Sequence, residues 1–497
     1  MGLPLVKVVG RLKGKVSYSR AGNIENGVWN TSEQDVRFIG IFDIDMVPEP
    51  NSLQLLLPPF FVYAPSEHPP EDFQEARCWK QDWCTAWTIS PQCFTNIKEL
   101  YGAEDPLNQQ NKLYWWVTPS ASDAEGLVHF WGTNALFFLP ALKDSNGFVY
   151  GCITEDNATS YQMHALGWSS VFVRQELAKG LARETVTESF DQRKRWLMGN
   201  IQQLLAEYNF PFLHPSFRDA PYRASHRDKL QGLRKADRSG ADVAPIAAGD
   251  SGMEVRKQRR NSMLWRAKME LHYVSTKLSF AYCLQPIYTL AITWVLMWTR
   301  QFPFWVDHNP ILGMHTGLKC FHIVVVYFAL ALLSQVVYCT EASDDSNNTC
   351  VFCVQMWRDT YTYCWARTVG AIDGVISAYT GMQIKWNVYG AMRGTNLFLA
   401  LPNLIVFVVM LLSLGGFLID AYEKDFANRE LQQFALISVF GCWVLFLMLP
   451  VVTCICAEML GMPYYKLRNF TTELLAVLVV AFFCVLWLAV PANKQSS

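Results

Sequence analysis

The sequence predicts an α/β domain followed by an α-helical membrane domain with several spans. Two observations lead to this prediction: apolar runs that end on carboxylates in the first half, and long uncharged stretches from Leu278 onward. Of the 497 residues 51% are hydrophobic, and the formal net charge is −1. That length favours more than one domain. The near-zero charge gives no general reason to expect a nucleic-acid partner.

Five stretches are long and apolar enough to span, or nearly span, a bilayer. A helix that crosses the hydrocarbon core needs roughly 20 apolar residues, with about 17 as the lower limit. Buried helices of a large soluble core are the alternative, but such helices rarely carry charge-free runs of this length. The predicted transmembrane segments are residues 278–298, 320–339, 397–419, 434–456 and 474–490.

The charge distribution predicts how these segments are oriented. The opening stretch "MGLPLVKVVG" lacks the apolar core of a secretory signal, so we expect the first half in the cytosol. Segment 340–396 then also faces the cytosol. Its Arg358, Arg367, Lys385 and Arg393 agree with the positive-inside tendency.

The first motif is a pair of aspartates that ends the apolar run "VRFIGIFDID". Such a run is typical of a parallel strand buried on both faces. Residues two apart on a strand point to the same side, so Asp43 and Asp45 could approach one cation at the end of the strand. Carboxylates plus substrate phosphates commonly hold Mg²⁺ or Mn²⁺. The alternative is a solvated turn with two chance acids.

The second motif lies in "FVYGCITEDNATSYQMHALGW". A strand-like segment brings Glu155 and Asp156 to the head of an amphipathic helix. The dipole at a helix N-terminus favours negative charge there, which stabilises the anion that a general base needs. The alternative is that Asp156 simply caps the helix.

The third motif is the helical stretch "DQRKRWLMGNIQQLL", residues 191–205. Gln192, Arg195 and Trp196 lie within about one and a half helical turns. Arginine suits a phosphate, and an indole offers a flat apolar face to a sugar ring. The alternative is a surface helix with a basic stripe and one core tryptophan.

In this order, and followed by predicted spans, the three motifs resemble those of cellulose synthases, which are processive inverting glycosyltransferases with a GT-A fold. The family pattern is D, D-x-D, T-E-D and Q-x-x-R-W. Smaller similarities are "RAGNIENG" (20–27), "FWGTNALFF" (130–138), "GLARET" (180–185) and "VQMW" (354–357). The wording T-E-D favours cellulose synthase over chitin synthase.

The resemblance implies a plasma-membrane enzyme that polymerises glucose from UDP-glucose into a β-1,4-glucan and exports it. Asp156 would be the general base, with Glu155 beside it, and Asp43 and Asp45 would hold Mg²⁺ or Mn²⁺. The implied substrate-binding residues are Arg20, Gly132, Asn134, Gln192, Arg195 and Trp196. The implied partners are UDP-glucose, the growing β-glucan chain, the lipid bilayer, and further copies of the chain or other components of a synthase complex.

Three domains follow from these patterns. We expect a cytosolic GT-A domain in residues 1–208, a basic, disordered insert in 209–262, and interfacial helices with five spans in 263–497. The insert is polar, rich in Gly, Ala and Ser, and basic, and such a composition buries too little apolar surface to form a core.

The chain also departs from the family pattern. The family's first aspartate, which contacts uracil, should precede "RAGN", yet the sequence begins shortly before that point. Arg20 stands where lysine is common, and the gating-loop motif is matched poorly by "IKWNVYG" (384–390). We therefore expect an N-terminally truncated chain with little activity alone; an inactive relative is the other interpretation. Rival functions are a non-processive lipid-linked sugar transferase and a transporter with a regulatory domain.

Overall fold

The structure of the chain is a computed structural model. The predicted spans 278–298 and 320–339 lie almost wholly outside its described residues, and the span 474–490 and the segment 384–390 lie wholly outside them. The described residues are 19–30, 36–63, 79–97, 105, 107–149, 152–183, 185–207, 211–214, 251–277, 284, 291, 333, 358–359, 361–382, 399–423 and 428–460.

The described part of the first half is a mixed α/β structure, as predicted. Its strands are β1 (Phe38–Ile41), β2 (Val47–Pro48), β3 (Phe61–Tyr63), β4 (Trp79–Gln81), β5 (Thr85–Ile89), β6 (Cys93–Phe94), β7 (Ala135–Phe138), β8 (Ser169–Phe172) and β9 (Ala178–Gly180). Its helices are α1 (Ser19–Asn30), α2 (Ser52–Leu56), α3 (Thr118–Asp123), α4 (Leu139–Asp144), α5 (Glu155–Ala165) and α6 (Val186–Glu207). A 3-10 turn (Pro58–Phe60) and a π-helical turn (Leu113–Val117) complete this part.

The central sheet has the strand order β1-β7-β5-β8. β7 runs antiparallel to both β1 and β5, whereas β5 and β8 are parallel. All residues of β5 and β7 are buried, because their apolar and aromatic side chains pack on both faces of the sheet. Trp87 of β5, for example, stacks on Phe137 of β7 with ring centroids 5.7 Å apart. Two smaller described sheets have the orders β2-β9-β6 and β3-β4.

The strand before the D-x-D motif differs from the predicted parallel strand. β1 pairs with β7 in the antiparallel direction, and β7 is its one neighbour in the described sheet. Asp43 and Asp45 lie in the turn that follows, where the amide of Met46 donates to the carbonyl of Asp43 at 2.9 Å. The apolar run reflects aromatic packing on one side instead, since the ring centroids of Phe38 and Phe60 are 4.9 Å apart.

The predicted helices of the other two motifs are confirmed. α5 begins at Glu155, and α6 carries the whole of the third motif. The strand predicted to deliver Glu155 is not formed in its described residues, 148–149 and 152–154. Contacts to the side chain of Gln202 replace strand pairing there, because its Oε1 accepts from the amide of Ile153 at 3.0 Å.

Helices dominate the described part of the second half. They are α7 (Ser251–Asn261), α8 (Met263–Lys277), α9 (Cys364–Thr380), α10 (Leu401–Glu423) and α11 (Asn428–Met459). α9 lies directly against α6, and glycines permit that approach: a Cβ on Gly370 would lie 2.2 Å from the carbonyl oxygen of Lys194. One apolar core joins the start of α6 to α9, α10 and α11 through residues such as Phe190, Tyr363 and Met410.

The predicted insert contains a docked helix, so the prediction of disorder does not hold for residues 251–261. Arg256 of α7 places its guanidinium 4.0 Å from the ring centre of Trp168. Gly167 is also in close contact with α7, because a Cβ there would lie 2.4 Å from the carbonyl oxygen of Arg256. Composition fails to predict this helix because its order comes from tertiary contacts.

Helices α10 and α11 cover most of two predicted spans, 397–419 and 434–456. Judged on the described residues alone, the chain shows no helix with the length and apolar character needed to cross a membrane. The multi-span membrane domain and its orientation therefore stay predictions, as do the exact domain boundaries.

Candidate active site

The T-E-D motif forms the first turn of α5. Thr154 is the N-cap residue, and Glu155 and Asp156 follow inside the helix. Asp156 is therefore not the cap, although its Oδ1 accepts a hydrogen bond from the amide of Asn157 at 2.8 Å. Glu155 is buried and Asp156 is half-buried. The helix start thus holds two adjacent acids in a restricted space.

Arg20 links the T-E-D acids to the D-x-D turn. Its Nη2 donates to Oδ1 of Asp43 at 2.5 Å and also to the carbonyl oxygen of Gly132. Its Nε lies 3.9 Å from Oε1 of Glu155. One guanidinium from α1 therefore contacts three separate segments of the chain.

The turn before β7 supports this cluster. Gly132 has a φ of +96°, a conformation that glycine adopts without steric cost. The hydroxyl of Thr133 accepts from the amide of Asp43 at 2.9 Å. Asn134 is fully buried, and its Nδ2 donates to the carbonyl of Pro91 at 3.1 Å. The structure therefore places Gly132 beside the acids and Asn134 in the support of the turn.

Burial changes the protonation of the acids. It raises the pKa of Glu155 to about 8, and the adjacent Asp156 charge adds to this while Arg20 opposes it. Burial also raises the pKa of Asp156 and of Asp43, again against the opposing charge of Arg20. A carboxylate with a raised pKa is a stronger base than one in water.

Asp43 and Asp45 lie close enough to interact, because the charge of Asp45 helps to raise the pKa of Asp43. The described residues contain no group of three or more His, Cys, Asp or Glu side chains that could hold a metal ion. Two carboxylates still fit Mg²⁺ or Mn²⁺ when a diphosphate supplies further oxygen ligands.

Two basic side chains, Arg195 of α6 and Arg183 of the preceding loop, lie near each other. Nε of Arg195 donates to the carbonyl of Asp191 at 3.2 Å. Burial lowers the pKa of Arg195 to about 10, and the charge of Arg183 contributes to that shift. Arg183 also acts on the D-x-D turn, since its charge lowers the pKa of Asp43. Sequence reasoning missed Arg183, although it lies within the "GLARET" segment. Gln192 is half-buried on the same helix.

Trp196 belongs to an aromatic group that the sequence only partly indicated. Its ring lies nearly parallel to that of Tyr114, with centroids 6.3 Å apart, and meets Trp115 edge-on at the same distance. The guanidinium of Arg193 lies 4.6 Å from the Trp196 ring centre. Tyr114 stays 39% exposed, and partial desolvation and then the charge of Asp156 raise its pKa. Tyr114 was missed, and the aromatic run "LYWW" was its available signal.

The T-E-D segment touches α6 directly. A Cβ on Gly199 would lie 2.4 Å from the Thr154 hydroxyl, so the absence of a side chain there allows the contact. The thiol of Cys152 donates to the carbonyl of Gly199 at 3.3 Å. Gly199 comes one turn after Trp196 on α6. The acidic and the basic-aromatic parts are therefore neighbours in one site.

Comparison with known proteins shows which proteins part of the chain resembles. Residues 112–338 match the family model described as glycosyl transferase family group 2. This region contains the T-E-D and Q-x-x-R-W motifs, while the D-x-D turn precedes it. This match agrees with the predicted resemblance to glycosyltransferases.

Individual relatives confirm the resemblance to cellulose synthases. The chain is 31% identical over 193 residues to a UDP-forming cellulose synthase catalytic subunit of Dictyostelium discoideum, a match covering 39% of this chain and 16% of the relative. It is 25% identical over 198 residues to the UDP-forming cellulose synthase catalytic subunit of Komagataeibacter sucrofermentans, covering 39% and 23%. It is 24% identical over 188 residues to that of Pseudomonas fluorescens, covering 37% and 22%. The chain thus spans less than a quarter of the length of these relatives.

Proposed function

We propose that this chain is the catalytic part of a UDP-glucose-dependent, inverting glycosyltransferase of the cellulose synthase type, with a GT-A-type domain. It would add glucose to the end of a β-1,4-glucan. The observation that supports this best is the convergence of the three motifs. The D-x-D turn and the T-E-D acids meet at Arg20, and the T-E-D segment contacts the Q-x-x-R-W helix at Gly199.

The reaction would be a single in-line displacement. The terminal hydroxyl oxygen of the acceptor attacks the anomeric carbon, the bond from that carbon to the UDP oxygen breaks, and Asp156 takes the hydroxyl proton. The raised pKa of Asp156 suits a base that must hold a proton after the transfer. Holding donor and acceptor in line supplies much of the rate through orientation.

The donor diphosphate would lie between the D-x-D turn and the arginines. Asp43 and Asp45 are the residues that would hold Mg²⁺ or Mn²⁺, an ion that neutralises charge on the leaving diphosphate when bound. Arg195 and Arg183 provide positive charge on the same side, and Gln192 lies beside them on the helix. Trp196, with Tyr114 parallel to it, would form an apolar platform for the acceptor sugar.

The proposed membrane spans are supported mainly by the amino-acid sequence. Long uncharged stretches support a multi-pass protein that exports its product, with the catalytic domain in the cytosol and the lipid bilayer as a partner. Helices α10 and α11 pack against the start of α6, which would bring the site close to the membrane domain. Assembly into homo-oligomers or a synthase complex is part of the same proposal.

The direct test is product analysis in recombinant membranes made from the full-length gene. We expect label from UDP-[¹⁴C]glucose, with Mn²⁺ or Mg²⁺, to enter a polymer that β-1,4-glucanase degrades. Label that appears only in a lipid-extractable product would contradict processive synthesis and identify a lipid-linked sugar transferase. Absence of any transfer, with the protein folded and present, would contradict the proposal as a whole.

A further inference from the structure

Arg20 occupies the place between the D-x-D turn and the T-E-D acids. Its guanidinium donates to Asp43 at 2.5 Å and to the carbonyl of Gly132, and it lies 3.9 Å from Glu155. A single side chain therefore lies between the acids of the two motifs.

The surrounding backbone is shaped for this guanidinium. A Cβ on Gly132 would lie 2.5 Å from Nη1 of Arg20 and 3.0 Å from Oδ2 of Asp156. The residue also has a φ of +96°, which side-chain-bearing residues rarely adopt. Only glycine thus leaves room for Arg20 between the two acidic segments.

The position of Arg20 conflicts with a metal ion on the same carboxylate. A divalent ion on Asp43 would share a carboxylate whose Oδ1 already accepts from Arg20. Two cations that are held by one carboxylate repel each other. Asp43 nevertheless keeps an open face, because 40% of its side chain is exposed.

We propose that Arg20 is a built-in counter-cation that competes with the divalent ion for Asp43, so that free metal binds weakly and the metal–diphosphate complex binds well. The diphosphate brings negative charge that compensates both cations at once. This inference rests on the metal site of the proposed function. It makes Arg20 a residue that couples metal binding to donor binding.

The test is a Mn²⁺ titration of the purified full-length protein without nucleotide, followed by the EPR signal of the free ion. We expect Arg20→Gln to bind Mn²⁺ at least about tenfold more tightly than the wild type, because one competing positive charge is removed. The Mn²⁺ affinity of Arg20→Lys should lie between those of Arg20→Gln and the wild type, because lysine keeps the positive charge but lacks the forked geometry of arginine. Addition of UDP should reduce the difference in Mn²⁺ affinity between Arg20→Gln and the wild type.

Two further variants locate the effect. Lys179→Gln removes a positive charge from the surface, where Lys179 pairs with Glu176 at 3.1 Å, and should leave Mn²⁺ affinity unchanged. Asp45→Asn combined with Arg20→Gln should abolish the gained binding. If the gain persists in that double variant, the metal is held elsewhere and the metal site of the proposed function fails, whatever Arg20 does.

If folded Arg20→Gln binds Mn²⁺ as weakly as the wild type or more weakly, Arg20 does not compete with the metal ion and the proposal fails. If thermal unfolding shows that Arg20→Gln does not fold, the Mn²⁺ affinity of Arg20→Lys becomes the test. Arg20→Lys must then bind Mn²⁺ more tightly than the wild type for the proposal to stand, and equal or weaker binding would overturn it.

Discussion

The acidic and the basic-aromatic parts of the site are built in different ways. Asp43 and Asp156 come from separate segments and meet around one guanidinium, that of Arg20. Arg195 and Trp196 come from a single helix of 22 residues. The acidic part therefore depends on individual charges and on one glycine, whereas the basic-aromatic part depends on how α6 is placed.

The placement of α6 is fixed by the second half of the chain. Lys194 forms an ion pair with Asp373 of α9 at 2.6 Å. The first turn of α6 is held by Glu458 of α11, whose carboxylate accepts from the amide of Val186 at 2.8 Å and from the hydroxyl of Thr187 at 2.7 Å. A carboxylate at a helix N-terminus satisfies free amides and interacts well with the dipole. The second half of the chain thus helps to position the helix that carries Arg195 and Trp196.

The largest effect is expected in the acidic part, from Asp156→Asn. The amide keeps the shape but has no basic oxygen, and loss of a general base typically costs about 10²–10⁴-fold in rate. Polymer formation from UDP-[¹⁴C]glucose should fall to background in recombinant membranes made from the full-length gene, while thermal unfolding stays close to that of the wild type. Normal synthesis by the variant would remove Asp156 from the mechanism.

Gly199→Ala should disturb the contact between the two parts. The new Cβ would lie 2.4 Å from the Thr154 side chain, so α6 and the T-E-D segment must separate. Overpacking of this kind typically costs about 1–3 kcal/mol, and we expect a lower unfolding temperature together with reduced polymerisation. The matched control is Gly27→Ala in α1, where a Cβ meets nothing within 4 Å. Equal behaviour of the two variants would show that the contact is unimportant.

Trp196→Ala should give a smaller and more selective effect. Aromatic pairs are worth about 0.5–1.5 kcal/mol beyond their buried area, so the platform with Tyr114 should weaken. With a soluble oligosaccharide acceptor we expect KM for the acceptor to rise several-fold, with KM for UDP-glucose nearly constant. An increase confined to UDP-glucose would place Trp196 at the donor instead.

Local features of the site were predictable because they depend on short sequence patterns. The helix that starts at Glu155 and the helix that carries Arg195 and Trp196 both follow from apolar periodicity and polar starts. The strand before Asp43 was assigned the wrong direction, because an apolar run looks alike in parallel and antiparallel pairing. Pairing partners are set by the tertiary structure.

Long-range contacts could not be predicted from the sequence, because they too are set by the tertiary structure. Nothing in the segment around Glu458 signals that it caps a helix more than two hundred residues earlier in the chain. The approach of Gly199 to Thr154 is likewise a contact between distant segments, although an isolated glycine inside a helical pattern often marks close packing. Such marks indicate that a contact exists without identifying its partner.

The last expected effect is a pH dependence of stability that originates in Glu155. Burial raises its pKa in the folded chain from an ordinary value of 4.5 to about 8. Between these values the folded chain keeps a proton that the unfolded chain has lost, so the free energy of unfolding falls as pH rises through this window.

Glu155→Gln carries no titratable proton, so its gain in the free energy of unfolding over the wild type should grow from pH 5 to pH 8 and then level off. Thermal unfolding of the detergent-purified protein measures this, with Glu49→Gln as control because Glu49 is exposed. A constant difference between Glu155→Gln and the wild type across that range would mean that Glu155 is ionised in the folded site at neutral pH, leaving three acids for Arg20 to compensate.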